Sequence, residues 1–208
     1  MDYAGLTENI QTICETTFTA QELAMFTEQA EQKIYATVDL PAQRFNVLGN
    51  ATQNNTYLSM AANMLYVYSL AVINNGTYTY LLNKDVNFIR EAYPTQSATG
   101  LPQHYAFFDQ NTFILGPTPD ANYQMELNYS TYPESIVTAG TTWLGNEFDS
   151  ALLNGALVEA IRFMKGEADL VAQYEKLYLQ SVALLKNLSD GKLRQDMYRD
   201  GQSKIKVT

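Results

Sequence analysis

Cysteine and histidine are almost absent from this chain of 208 residues. The single cysteine, Cys14, cannot form an internal disulfide bond, and together with the single histidine, His104, it cannot supply the ligands of a zinc site. We interpret Cys14 as a small buried hydrophobic side chain. His104 lies beside aromatic residues and is interpreted as structural. We therefore expect neither a metal centre nor a cofactor.

The common signatures of nucleotide binding and hydrolysis are also missing. The sequence contains no GxxxxGK[ST], GxGxxG, HExxH, GxSxG or CxxC. The enzymatic alternative is a carboxylate-based hydrolase in which Glu147 and Asp149 act as acid and base. Acidic residues are, however, favoured at a helix N-terminus for electrostatic reasons alone. We predict that the protein is not an enzyme and has no catalytic residues.

Long hydrophobic runs are lacking as well. No apolar stretch approaches the ~20 residues that cross a bilayer, and the N-terminus lacks a basic segment followed by an apolar core. We therefore expect no membrane span and no export signal. A hydrophobic content of 46% with 17% charged residues is typical of a folded protein.

Positive charge is scarce except at the C-terminus. Residues 1–189 contain 8 basic and 19 acidic side chains, whereas residues 190–208 contain 5 basic and 3 acidic ones. An acidic body is not expected to wrap nucleic acid, because that affinity comes mainly from Lys and Arg on phosphates. A duplex could still slide past such a surface. Residues 190–208 contain few apolar side chains, and we predict an extended arm that gains order on a partner.

The strongest periodic pattern lies near the C-terminus. Leu153, Leu157, Ile161 and Met164 fall on one stripe of a helix that begins near residues 147–149. After Gly166 a second helix is predicted to stop at Ser189, Asp190 and Gly191. Its apolar stripe contains Val171, Tyr174, Leu177, Tyr178, Ser181, Leu184, Leu185 and Leu188. We predict that the two helices form an antiparallel hairpin, with a single kinked helix as the alternative.

Helical patterns also occupy the N-terminal part of the chain. Residues 1–18 suit one short helix, and Thr19 with Glu22 can form the capping box of a stronger helix that ends before Pro41. Helices from both ends of a chain can close one core. We predict a helical bundle of residues 1–44 and 141–189.

The middle of the chain, residues 45–140, has the character of an inserted antiparallel β lobe. Asn75 and Gly76 are a strong hairpin signal, and a second hairpin is expected across residues 109–111. Tyr123 and Tyr129 alternate with polar residues on one strand. They could form a sugar-binding face, but a role in the core is favoured. The predicted fold class is α+β.

The order of the segments resembles that of the head-to-tail connector, or neck adaptor, proteins of tailed bacteriophages. The resemblance extends from about residue 19 to 201. The segments that carry it are EQAEQKIYATVDLP, TYLSMAANMLYVYSLAV, GLPQHYAFFDQNTFILGPTPDANYQMELNYSTYP, WLGNEFDSALLNGALVEAIRFMKGEADLVAQYEKLY and GKLRQDMYRDGQ.

This resemblance implies a structural virion protein at the head–tail junction, assembled in the host cytoplasm. About twelve copies would form an oligomeric ring, a dodecamer, between the portal protein and a distal tail or nozzle protein. DNA would pass through the ring during ejection without sequence-specific binding. In this interpretation the C-terminal arm docks on the portal or on a neighbouring copy through Arg194, Tyr198, Arg199, Lys204 and Lys206. Some carboxylates of the helical region would line the channel.

Two alternatives stay open at this stage. Within the phage interpretation, a tail-nozzle or neck-completion component also forms rings and lacks an active site. From a different class, a carbohydrate-binding module would present the tyrosine-rich strands to a glycan.

Overall fold

A computed structural model describes residues 1–95 and 97–200, and residues 190–200 are described by their backbone alone. The chain divides into two compact units. The helical unit contains Met1–Gln43 and Pro133–Thr208, and the β unit is Arg44–Tyr132. Residues 133–140, which the sequence placed in the β lobe, belong to the helical unit.

The described residues contain seven α-helices and ten strands. The helices are α1 (Tyr3–Cys14), α2 (Ala20–Thr37), α3 (Val86–Ala92), α4 (Ile136–Ala139), α5 (Trp143–Glu147), α6 (Asp149–Phe163) and α7 (Ala168–Asp200). The strands are β1 (Arg44–Ala51), β2 (Tyr57–Ser59), β3 (Met64–Asn74), β4 (Thr77–Tyr80), β5 (Leu82–Asn83), β6 (Thr99–Gly100), β7 (His104–Asp109), β8 (Thr112–Gly116), β9 (Thr118–Pro119) and β10 (Tyr123–Thr131). The predicted α+β class is confirmed.

The predicted capping box at the start of α2 is present. The Glu22 backbone N–H donates to the Thr19 hydroxyl at 3.3 Å, and the Thr19 backbone N–H donates to the Glu22 carboxylate at 2.7 Å. These two bonds satisfy N–H groups that the first helical turn leaves without partners. The helix ends at Thr37, four residues before Pro41, as predicted.

The two long C-terminal helices form the predicted antiparallel hairpin. Asn154 of α6 donates to Ser181 of α7 at 3.4 Å, and Arg162 donates to Glu175 at 3.3 Å. As residue numbers rise along α6, those of the partners fall along α7. The alternative of one kinked helix is therefore wrong.

The predicted stop of the second helix is also wrong. Helix α7 continues through Ser189, Asp190 and Gly191 to Asp200, so residues 190–200 are helical instead of extended. One glycine inside a helix costs only about 1 kcal/mol, and good helix formers such as Leu193 and Arg194 follow it. Residues 201–208 of the predicted arm lie outside the described residues.

The core of the helical unit is formed chiefly by α1, α2, α6 and α7. Helix α6 lies at its centre and buries a wider face than the predicted stripe. Leu157 and Ile161 are buried as expected, whereas Leu153 and Met164 are only partly buried. The buried residues of α6 are Ala151, Leu152, Gly155, Ala156, Leu157, Val158, Ala160 and Ile161.

One carboxylate lies inside this core. Glu31 of α2 is 3% exposed and accepts a hydrogen bond from the Ile136 backbone N–H at 3.0 Å. Burial raises the pKa of Glu31, while hydrogen bonds from Ser135 and Ile136 oppose that rise. Glu31 thus joins α2 to the first turn of α4.

The β unit has two four-stranded sheets that enclose one core. The first sheet has the order β1-β10-β3-β4, and the second has the order β2-β8-β7-β5. The predicted hairpin between β3 and β4 turns at Asn75 and Gly76, which have φ values of 49° and 76°. The second predicted hairpin joins β7 to β8. The enclosed core contains Ala51, Leu58, Leu70, Val72, Leu81, Tyr105, Phe113, Leu115, Met125 and Leu127.

Candidate interaction surfaces

The proposed acid and base pair lies at a helix junction. Glu147 is the last residue of α5 and Asp149 is the first residue of α6, and both side chains are exposed to solvent. Asp149 occupies the position that the helix dipole favours for an acidic residue. Among the described residues, no group of three or more His, Cys, Asp and Glu is placed to hold a metal ion.

His104 and Cys14 both have structural surroundings. The Nδ1 atom of His104 lies 3.0 Å from the Tyr93 hydroxyl, and its ring packs edge-on against Phe88. Cys14, the last residue of α1, packs partly buried against the core of the helical unit, and burial raises the pKa of its thiol. A raised pKa leaves less thiolate and makes the side chain less reactive.

Tyr123 and Tyr129 belong to the core side of β10. Both are partly buried against the core of the β unit, where Met125 and Leu127 of the same strand are almost fully buried. Neither ring is therefore presented as part of an open sugar platform. Tyr123 also donates through its hydroxyl to Asp120 at 2.7 Å.

Four other tyrosines lie on the outer face of the first sheet. Tyr66 and Tyr68 of β3 bring their hydroxyl oxygens within 3.0 Å of each other, and the Arg44 guanidinium lies 4.6 Å from the centre of the Tyr68 ring. On β4, Tyr78 and Tyr80 are both exposed. This aromatic face was not predicted from the sequence. The spacing of two residues within each tyrosine pair indicated it, because residues i and i+2 of a strand lie on the same face.

Glu126 is the acidic residue of this outer face. It pairs with Leu48 on β1 and with Ala71 on β3, which in turn pairs with Tyr80. Its charge raises the pKa of the Tyr78 hydroxyl. The face thus combines exposed aromatic rings with one carboxylate and one guanidinium.

Helix α7 carries a row of exposed leucines. Leu170, Leu177, Leu184 and Leu188 are all exposed, and Leu184 is 64% exposed. At 100° per residue they fall within about 40° of one another around the helix. The buried side chains Val182 and Leu185 lie elsewhere on the helix. Three of these leucines were predicted to face the core, but the packed face of α7 is narrower than the apolar stripe.

Strand β1 forms an open edge of the first sheet. Among the described residues it pairs only with β10, and seven of its eight residues are exposed. Beside it lies an apolar groove of about 140 Å³ between the two sheets. The groove is lined by Val47, Leu48, Gly49, Leu58, Ser59, Met60, Ala61, Leu70, Phe113, Met125 and Leu127.

The residues of the predicted docking arm are only partly described. Arg194, Tyr198 and Arg199 lie in the helical backbone of α7, and their side chains are not described. Lys204 and Lys206 lie outside the described residues. None of the described helices is both long enough and apolar enough to cross a membrane.

Folded units with large exposed apolar surfaces are typical of proteins that act by contact with other proteins. The chain matches the family model for the SU10 adaptor protein over residues 1–203. It therefore belongs to the SU10 adaptor family, and so it is a structural adaptor of a bacteriophage virion. No curated protein matches the chain.

Proposed function

We propose that this adaptor forms a closed ring of about twelve copies that joins the portal vertex of the phage head to the tail. Its partners in this proposal are the portal protein on one side and a distal tail or nozzle protein on the other. DNA passes through the ring during ejection. Family membership supports the adaptor role, and the exposed leucines of α7 support contact between copies.

The leucine row of α7 is the observation that carries the ring proposal. A row of large apolar side chains on one helix face is stabilised when a second surface covers it. In a closed head-to-tail ring each copy presents two unlike surfaces, and each surface is covered by a neighbour, so no copy is left with an uncovered row. The row is therefore assigned to contact between neighbouring copies.

A lysine substitution in the row tests this assignment. Leu184→Lys should lower incorporation into particles by at least about tenfold, because the ring would have to bury a charge. The control is Leu179→Lys on another face of α7, since Leu179 is 60% exposed. Incorporation can be measured by immunoblotting of purified particles from a complementation experiment. Normal incorporation of Leu184→Lys, or equal loss in both variants, would contradict the assignment.

The C-terminal segment is proposed to dock on the portal or on a neighbouring copy. Its five basic residues, against three acidic ones, reverse the charge balance of the rest of the chain. Deleting residues 191–208 should leave a folded protein, because the core residues that the structure describes all precede this segment, the last of them being Leu185. The truncated protein should fail to join portal-bearing particles in a pull-down assay. Normal joining would refute the docking role.

A carbohydrate-binding function is the second candidate, and the four exposed tyrosines favour it. Aromatic rings with neighbouring polar groups suit stacking on sugar rings. Glycan-array binding that Tyr80→Ala abolishes would support this candidate.

Within the phage role, a tail-nozzle or neck-completion position would be recognised by electron microscopy of intact particles.

A further inference from the structure

The open edge of β1 is the least protected edge of the two main sheets. The edge strands β4, β2 and β5 have four, three and two residues, whereas β1 has eight. Its sequence RFNVLGNA contains no proline and only one charge, at its first residue. Long apolar edges are normally covered, because their free N–H and C=O groups pair readily with another strand.

The groove beside β1 has the size and chemistry of a side-chain pocket. Apolar cavities of about 150 Å³ accommodate groups as large as benzene. Val47 and Gly49 lie on the side of β1 that faces the core, because they pair with Leu127 and Met125. A Cβ atom built on Gly49 would meet nothing within 4 Å. A strand added to β1 therefore finds space for an aliphatic side chain next to Gly49.

The C-terminal residues of the chain have the pattern that such a strand needs. Residues 201–208 lie outside the described part of the chain, and their sequence is GQSKIKVT. In it Ile205 and Val207 alternate with Lys204 and Lys206. Period-two alternation puts the aliphatic side chains on one face of a strand and the lysines on the other.

Charge and length favour the same pairing. The β unit contains three basic and five acidic side chains, whereas residues 201–208 contain two lysines and no acidic side chain. With the aliphatic side chains in the groove, the lysines lie on the outer face, where Glu126 is paired with Leu48 in the middle of β1 and Arg44 lies at the first residue of β1. The six residues of the alternating segment also fit within the eight-residue length of β1.

We propose that residues 203–208 of one copy add as a strand to β1 of a neighbouring copy, with Ile205 or Val207 in the groove beside Gly49. Main-chain hydrogen bonds provide the affinity, and the groove provides the specificity. A donor segment and an acceptor edge are two unlike surfaces, as a head-to-tail ring requires. The choice of a second copy as the donor rests on the proposed ring.

A peptide-binding experiment tests the acceptor edge. The receptor is the full-length chain with Ile205→Asp and Val207→Asp, and the probe is the fluorescein-labelled peptide GQSKIKVT. We expect fluorescence anisotropy to show binding. Val47→Lys in the receptor should weaken it at least about tenfold, because the lysine enters the groove. Thr77→Lys, on the opposite edge strand of the same sheet, is the matched control and should bind normally.

Three results would overturn the acceptor assignment. They are no binding at about 1 mM peptide, equal binding by the Val47→Lys receptor, and equal binding of a peptide with aspartate in place of Ile205 and Val207. The peptide variant keeps the test decisive even if Val47→Lys fails to fold.

Cross-linking identifies the donor. In a Cys14→Ser background, a tagged copy with Gly49→Cys is mixed with an untagged copy with Ile205→Cys, and a short bismaleimide is added. A tagged–untagged product is expected. If a chain that carries both cysteines gives only an internal cross-link, the donor is the same copy and the proposal is wrong.

The outcome for the ring is separate. Particles that incorporate Val47→Lys at the normal copy number would refute strand exchange and leave the ring intact. Peptide binding by a protein that is found in no ring would refute the ring but not the acceptor edge.

Discussion

Single glycines show how closely the backbone of the β unit is packed in one place and how open it is in another. A Cβ atom on Gly116 would lie 2.6 Å from the Tyr93 ring, which is held in turn by the contact between its hydroxyl and His104. On Gly49 the same atom would meet nothing within 4 Å. An alanine substitution is therefore expected to lower stability more at Gly116 than at Gly49.

We predict that Gly116→Ala lowers the free energy of unfolding by about 1–3 kcal/mol, because the Tyr93 ring must move. Gly49→Ala serves as the control and should change it by no more than about 0.5 kcal/mol. Urea denaturation followed by circular dichroism measures both values. Equal stability of the two variants would show that the Tyr93 ring moves aside without cost.

Some residue-level features were predictable from the sequence because their causes are local. The capping box of Thr19 and Glu22 and the turn at Asn75 and Gly76 depend on neighbouring residues alone. The surroundings of His104 were predicted only as structural. Its partner Tyr93 is eleven residues away in the chain, and only the packing of α3 on β7 brings the two together.

At the scale of elements, the contact between α2 and α4 depends on one buried carboxylate. Glu31 accepts a hydrogen bond from the backbone of Ile136 in the first turn of α4, and burial raises its pKa above the ordinary value of 4.5. Because the folded state binds this proton more tightly than the unfolded state, Glu31 contributes stability while it is protonated. That contribution to the free energy of unfolding is lost as the pH rises from 4.5 through the raised pKa.

We predict that Glu31→Gln gains stability relative to the wild-type protein over this pH range. Glutamine keeps an oxygen that can accept the bond from Ile136 and carries no charge to desolvate. Thermal unfolding of both proteins between about pH 4 and pH 7 measures the difference. Glu8→Gln, at an exposed position of α1, is the matched control, because it removes a carboxylate away from the contact between α2 and α4. A difference that stays constant with pH would contradict the prediction.

Helix types and the antiparallel hairpin followed from periodicity, but the extent of the packed face did not. The stripe of α7 contains apolar residues that meet α6 and others that meet solvent, and both kinds have the same spacing. Leu185 is fully buried whereas its neighbour Leu184 is 64% exposed. Periodicity alone cannot divide such a stripe into its buried and its exposed residues, because it does not show which helices cover it.

At the scale of the whole molecule, charge is the property that limits contact with DNA. The formal net charge is -9, and five of the 13 basic residues lie after residue 189. Because nucleic-acid affinity comes mainly from Lys and Arg on phosphates, we expect the rest of the chain to bind duplex DNA only weakly. This is the charge expected of a channel through which DNA passes freely, as we propose for the ring.

We predict that the purified protein does not retard linear duplex DNA in a gel-shift assay at about 150 mM salt, with a dissociation constant no tighter than about 10⁻⁴ M. Deleting residues 191–208 should abolish any binding seen at low salt, since it removes five basic side chains. Micromolar binding that persists in the truncated protein would contradict an acidic channel wall.

The length of α7 has a consequence for evolution and engineering of the C-terminal segment. Ser189 donates a hydrogen bond to the Asp39 carbonyl, and the helical backbone then runs on for eleven more residues, 190–200. At 1.5 Å per residue this stretch spans about 16 Å, and one inserted residue turns everything beyond it by about 100°. A flexible tether tolerates such an insertion, whereas in a helical spacer the insertion rotates the residues that follow it away from their original direction. Insertions and deletions here should therefore be tolerated only in steps that restore the helical phase.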